Sequence, residues 1–175
     1  MTRDELIGRI KETAYLEGDF LLRSGRRSNY YLDKYRFETQ PDILKQLGAM
    51  FAEYVTPATT RIAGAELGGV SLAAAASMAS GKPFVIVRNA KKEYGTSNAF
   101  EGVIETTDKV LIVEDIATTG GQVLEAAQQI VQLGASVVAI VAVIDRLEGA
   151  RENIESAGFR FESLMTTSDL GIKSN

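Results

Sequence analysis

Near the start of the chain apolar residues recur at helical spacing, with Leu6, Ile7, Ile10 and Ala14 on one face. Thr2 and Glu5 stand three apart ahead of them, the spacing of a capping box, so a first helix is expected to run to about Gly18. Phe20-Leu21-Leu22 and Tyr30-Tyr31-Leu32 flank the turn-like Ser24-Gly25-Arg26-Arg27-Ser28-Asn29, which predicts a hairpin with a basic tip. A second amphipathic helix is expected over residues 41–54, with Pro41 in its first turn, where a missing N–H is tolerated.

Beyond Tyr54, strand and helix patterns alternate. Residues 61–65 read as a strand, Gly68-Gly69 as a turn, and an Ala-rich helix follows to about Ala79. The run FVIV at residues 84–87 reads as a short strand. The polar stretch 88–102, which contains Gly95, Ser97 and Asn98 and has little periodicity, reads as a mobile loop. Then come a strand at 110–113, a helix at 122–133, a longer strand at 137–144 and a helix at 148–157. Uniformly apolar strands alternating with helices predict the α/β class: one domain over residues 1–175, with a central parallel sheet, helices on both faces and a small N-terminal hairpin as a hood.

Ligands of such sheets bind outside the carboxyl ends of the strands. After residues 110–113 come Glu114, Asp115, Ile116, Ala117, Thr118, Thr119, Gly120 and Gly121, opening a helix. Backbone N–H groups, two hydroxyls and a helix N-terminus suit a phosphate monoester. The two acids repel phosphate and suit hydroxyl donors or a divalent cation. A ribose phosphate offers both halves. The competing reading is that Thr118 or Thr119 merely caps the helix while the acids sit exposed at a strand end. Neither GxxxxGK[ST] nor GxGxxG occurs, so kinase and dehydrogenase readings lose their main support.

Composition narrows the chemistry further. With 45% hydrophobic and 24% charged residues and 3 prolines, the 175-residue chain reads as a globular domain. A net charge of -4 argues against general nucleic-acid binding. Without cysteine or histidine, disulfides, Cys-ligated zinc and the Ser-His-Asp and Cys-His mechanisms are excluded; proton transfer would have to use carboxylates, lysines, tyrosines or the substrate, and chemistry by electrostatics and positioning is favoured. The polar N-terminus is unlike a signal peptide, and no apolar run approaches the ~20 residues needed to span a bilayer, so a cytoplasmic enzyme without membrane contact is expected.

Residues 110–121 (VLIVEDIATTGG) are similar to the signature with which type I phosphoribosyltransferases bind 5-phosphoribosyl-1-diphosphate (PRPP). Three further stretches resemble the orotate-specific branch: FLLRSGRRSNYYLDKY at 20–35, GAELGGVSLAAA at 64–75 and FVIVRNAKKEYGTSNAFEG at 84–102. The closing segments 144–150 and 168–170 fit as well. The resemblance implies transfer of the phosphoribosyl group of PRPP to orotate, giving orotidine 5'-phosphate and pyrophosphate in the route to UMP. It further implies Mg²⁺ held mainly by PRPP, and a homodimer with shared active sites.

By the same resemblance, Glu114 and Asp115 would hold the ribose hydroxyls while Ile116, Ala117, Thr118, Thr119, Gly120, Gly121 and Gln122 wrap the 5-phosphate. Arg88, Lys92 and Tyr94 match positions of the family's catalytic loop and, with Asn89 between them, would contact PRPP, with Lys92, Arg88 and Asp115 as catalytic residues. Lys91 reads better as a solvated lysine. Arg146 resembles the contact to the orotate carboxylate, for which a guanidinium fork is suited, and Thr118 and Tyr31 would lie near the base. Arg146 could instead pair with Glu148 or Glu152, and Tyr31 could be a core strand residue. Three positions depart from the family: Asn89 stands where lysine is usual, Ser97 where glycine is common, and Gly68 where some bacterial members carry lysine. The alternatives are a regulatory protein that keeps the ribose phosphate site without efficient transfer, and a transferase for another base.

Overall fold

A computed structural model of the chain describes residues 1–21, 25, 27–89 and 99–172. Helix α1 spans Arg3–Ala14 and begins with the expected capping box, Thr2 N–H donating to Glu5 Oε2 at 2.6 Å and Glu5 N–H to Thr2 Oγ1 at 3.2 Å. It stops short of Gly18, because Tyr15 already opens strand β1 (Tyr15–Leu21) opposite Leu32 of β2 (Arg27–Leu32). The Tyr15 ring stacks on Tyr30 at 5.9 Å, a long-range contact that overrides the helical pattern. Leu22 of the predicted flanking strand, Arg23, and Ser24 and Arg26 of the predicted basic tip lie outside the described residues.

Strand β2 alternates cleanly: Ser28, Tyr30 and Leu32 are buried, Arg27, Asn29 and Tyr31 exposed. A short helix α2 (Lys34–Glu38), too brief to show a period, precedes α3 (Pro41–Ala52), which carries Pro41 in its first turn and ends two residues before the expected boundary.

The remaining strands are β3 (Arg61–Ala65), β4 (Phe84–Val87), β5 (Phe100–Glu101), β6 (Lys109–Ala117), β7 (Ser136–Asp145) and β8 (Phe161–Thr166). They form one sheet in the order β5-β4-β3-β6-β7-β8, parallel except for the antiparallel β4–β5 pair. Helix α4 (Gly68–Ser80) follows β3, α5 (Gly121–Leu133) follows β6 and α6 (Ala150–Ser156) follows β7. Two cores result, one on each face. Leu111 and Val113 of β6 pack with α1, α3 and α4, whereas Val110 and Ile112 pack with Val123, Ala127 and Ile130 of α5 and Ile154 of α6. This is the α/β architecture expected from the alternation.

Several boundaries need correction. Gly68 and Gly69 are the first turn of α4 rather than a separate turn. Glu114 and Asp115 belong to β6, which the sheet extends to Ala117 by pairing Ala117 with Asp145. Helix α6 starts at Ala150, not at Glu148, because Gly149 takes a left-handed φ of 99°. Strands β5 and β8 were not expected; each is defined by its partner, β5 by β4 and β8 by β7. Residues 90–98 of the predicted mobile loop lie outside the described residues.

From β3 the chain moves through α4 to β4 on one side; from β6 it moves through α5 to β7 on the other. The switch in direction therefore falls between β3 and β6, and a crevice opens beyond their carboxyl ends.

Candidate active site

A cavity of about 160 Å³ occupies that crevice, lined by Lys34, Glu114, Asp115 and the whole turn from Ile116 to Val123. Both acids are buried, Glu114 6% and Asp115 3% exposed, so the reading of them as exposed strand-end charges is overturned. The competing role for the threonines fails too, since α5 has Gly120 at its N-cap and no side-chain cap. Its leading N–H groups are left for a ligand, at the end where the helix dipole favours negative charge. Glycine suits position 120 because its φ of 77° is a backbone conformation that residues with a Cβ rarely adopt.

Asp115 is fixed at both oxygens. Oδ1 accepts the Ile116 N–H at 2.5 Å and Oδ2 accepts Lys34 Nζ at 2.6 Å. Glu38, one turn after Lys34, is also buried, accepting the Ser71 hydroxyl at 3.3 Å. Oε1 of Glu38 and Oε2 of Glu114 find no hydrogen-bond partner among the described residues. Burial, with the charge of Asp115 adding, pushes the Glu38 carboxyl up to about 8. Burial and then Asp115 push the Glu114 carboxyl well above the ordinary carboxylate range, and Lys34 opposes that shift. For Lys34 itself burial disfavours the charge, yet Asp115 outweighs it and holds the ammonium above its usual range.

The turn after β3 closes a second side of the crevice, and its Glu66–Leu67 peptide is cis. Asn89 bridges it to the Thr/Gly turn: its N–H donates to Glu66 Oε1 and its Nδ2 to the Glu66 carbonyl, both at 2.9 Å. Gln122 Nε2 donates to that carbonyl at 2.9 Å and to Asn89 Oδ1 at 3.0 Å. The side chain that replaces the usual lysine thus ties three segments of the site together. Arg88 pairs with Glu101 at 3.3 Å, at the base of the loop and not among the cavity-lining residues. Lys91, Lys92, Tyr94 and Ser97 lie outside the described residues.

The sheet brings Arg146 next to the turn that lines the cavity, its N–H donating to the Ala117 carbonyl at 2.9 Å, although Arg146 is itself not among the cavity-lining residues. Its guanidinium pairs with Glu148 at 2.8 Å, the competing contact considered from sequence, and donates to the Tyr30 hydroxyl at 3.1 Å. Nε is buried and finds no hydrogen-bond partner among the described residues. Tyr31, by contrast, is 44% exposed and packs on Phe20 at 5.7 Å, so the strand alternation presents Tyr30 rather than Tyr31 to Arg146. Sequence reading missed Tyr30, Lys34 and Glu38. A period of two through Tyr30 and Tyr31 shows that they face opposite ways but not which faces inward, and no local signal joins Lys34 to Asp115.

Residues 36–166 match the family described as phosphoribosyl transferase domain. The chain is 45% identical over 167 residues to the orotate phosphoribosyltransferase of Methanocella arvoryzae, covering 95% of each. Among solved structures it is similar to Mycobacterium tuberculosis orotate phosphoribosyltransferase in complex with Fe(III) dicitrate, with a TM-score of 0.88, 32% identity and coverage of 97% of this chain and 99% of that one. The M. tuberculosis protein in complex with PRPP superposes with a TM-score of 0.82 at 31% identity, covering 97% and 99%. The chain, with its buried acids beside an uncapped Thr/Gly helix start at the switch point of a parallel sheet, is thus similar to these proteins over nearly its whole length, and it belongs to the phosphoribosyl transferase domain family, within its orotate phosphoribosyltransferase group.

Proposed function

We propose that this protein transfers the phosphoribosyl group of PRPP to orotate. The C1–O bond to pyrophosphate breaks and a bond from C1 to the pyrimidine N1 forms, with N1 giving up its proton. The observation that carries the reading is the cavity itself, in which an anion-binding helix start and two buried acids face one space, matching the two ends of a ribose 5-phosphate. The 5-phosphate would sit on the N–H groups from Thr118 to Gln122, and the ribose hydroxyls would donate to Glu114 and Asp115. Mg²⁺ would arrive on PRPP, held mainly by its diphosphate, where it neutralises charge on the leaving group. No helix among the described residues is long and apolar enough to cross a membrane. The purified protein should consume orotate, followed by absorbance, only with both PRPP and a divalent metal. Tight PRPP binding without consumption would favour the regulatory reading.

Arg146 would receive the orotate carboxylate. The incoming carboxylate then competes with Glu148 for the guanidinium, so Glu148→Gln should lower the orotate KM. Arg146→Ala, losing a charge-assisted hydrogen bond of ~1.5–3 kcal/mol, should raise it about ten- to a hundredfold with the PRPP KM nearly unchanged. Equal losses for both substrates would make Arg146 a structural residue.

The reading extends to a cytoplasmic homodimer in which Lys92 of one subunit serves the Asp115 site of the other. Lys92→Ala and Asp115→Ala proteins, each strongly impaired alone, should regain about one quarter of wild-type activity when subunits exchange at random, because half the dimers then hold one intact site of two. Exchange shown by mass spectrometry without recovery would place both residues in one chain.

A further inference from the structure

Lys34 belongs to no phosphate-binding motif, yet its ammonium lies in the ribose phosphate cavity. It is the first residue of α2, the end of a helix where the dipole disfavours a cation, and no acid stands in that first turn. Its position is explained by what lies opposite. Nζ is 2.6 Å from Asp115 Oδ2, while Oδ1 of the same carboxylate is held by the Ile116 N–H at 2.5 Å. Contacts at opposite oxygens fix both the reach and the rotation of the carboxylate. An ionised carboxylate offers about four lone-pair sites, so two remain for a diol.

The space for this arrangement comes from Gly68. A Cβ there would stand 1.6 Å from Asp115 Oδ2 and 3.1 Å from Lys34 Nζ, so any side chain at position 68 displaces the pair. Charged and titratable groups around the ammonium are Asp33 and Tyr35 beside it, Glu38 a turn later, and Glu114 and Asp115 on β6.

We propose that Lys34 is a positioning residue for the ribose-binding acids, holding the Asp115 carboxylate in the orientation that receives the ribose hydroxyls, and that Gly68 is the residue that admits it. The proposal rests on the reading of Asp115 as a ribose contact. Lys34 acts through Asp115 and has no bond to make or break itself. Its charge has a second effect on Glu114 and Glu38, whose ionised forms it favours.

Lys34→Met and Lys34→Arg, made in the full chain, test this. Lys34→Met should lower kcat/KM for PRPP about ten- to a hundredfold, the loss of one charge-assisted hydrogen bond, and leave the orotate KM within about threefold. The acid limb of the pH profile for PRPP should move to higher pH, since Glu114 and Glu38 lose the cation that opposes their protonation. Lys34→Arg should restore most of the activity and return the limb. Both variants equally impaired with the limb unmoved would make Lys34 a packing residue, and both at wild-type values would remove it from the site; either overturns the proposal. Calorimetric titration of PRPP without orotate separates this from the activity reading. Weaker PRPP binding by Lys34→Met, recovered in Lys34→Arg, supports the proposal even if the wild-type protein transfers nothing to orotate. Unchanged PRPP affinity in Lys34→Met overturns it even if orotate is consumed normally.

Discussion

Gly68→Ala should lower turnover by roughly a hundredfold or more while the protein remains folded. The added carbon would lie 1.6 Å from Asp115 Oδ2, and Asp115 is too short and too well buried to yield without swinging off both Lys34 and the Ile116 N–H. Two charge-assisted hydrogen bonds of about 1.5–3 kcal/mol each would then be lost or remade elsewhere, and each 1.36 kcal/mol not recovered in the transition state is about tenfold in rate. The backbone at Gly68 is ordinary helix, so alanine costs the fold little. Steady-state kinetics beside a thermal melt would check this. A Gly68→Ala protein with kinetics within about threefold of wild type would show that the orientation of Asp115 does not matter to the substrate.

Gly64→Ala should act on the fold instead. A Cβ on β3 would lie 2.0 Å from the Gly69 carbonyl oxygen and 2.6 Å from its carbon, both backbone, with Ala73 Cβ at 3.0 Å behind them. A side chain can rotate away, but here α4 must move off the sheet, taking with it the turn that carries Glu66 and Gly68. Overpacking costs about 1–3 kcal/mol where side chains can yield, and more is expected against backbone. Set against a typical total of roughly 5–15 kcal/mol, and about 2–4 °C per kcal/mol for a chain of this size, the melting midpoint should fall by on the order of 10 °C. Gly8→Ala, on the exposed side of α1 with nothing within 4 Å, is the matched control and should leave the midpoint unchanged or slightly raised. A Gly64→Ala protein melting with the control would mean that β3 and α4 are not in close contact.

Much of the scaffold was legible because it is written in short-range signals. The capping box of Thr2 and Glu5, Pro41 in the first turn of α3 and the apolar runs of β3, β4, β6 and β7 each act within a few residues, and the structure realises them. The Thr/Gly turn after β6 was legible for the same reason, since backbone donors and the helix they open are contiguous in the chain. Where the reading stopped short, the cause was a partner far along the sequence. Strand β5 consists of Phe100 and Glu101 and exists only through Val87 and Ile86 opposite. Tyr15 leaves the first helix because Leu32 and Tyr30 await it.

The candidate site divides in the same way. Sequence alone determined the α/β class, the acidic pair, the Thr/Gly turn and the exclusion of histidine and cysteine chemistry, since these depend on residue type and local order. Only the tertiary structure decided that the acids are buried, that Tyr30 rather than Tyr31 meets Arg146, that Asn89 bridges Glu66 and Gln122, and that Lys34 reaches Asp115 across 81 positions. Burial and long-range pairing are set by which elements the sheet order places side by side, and that order is not contained in any single segment of the chain.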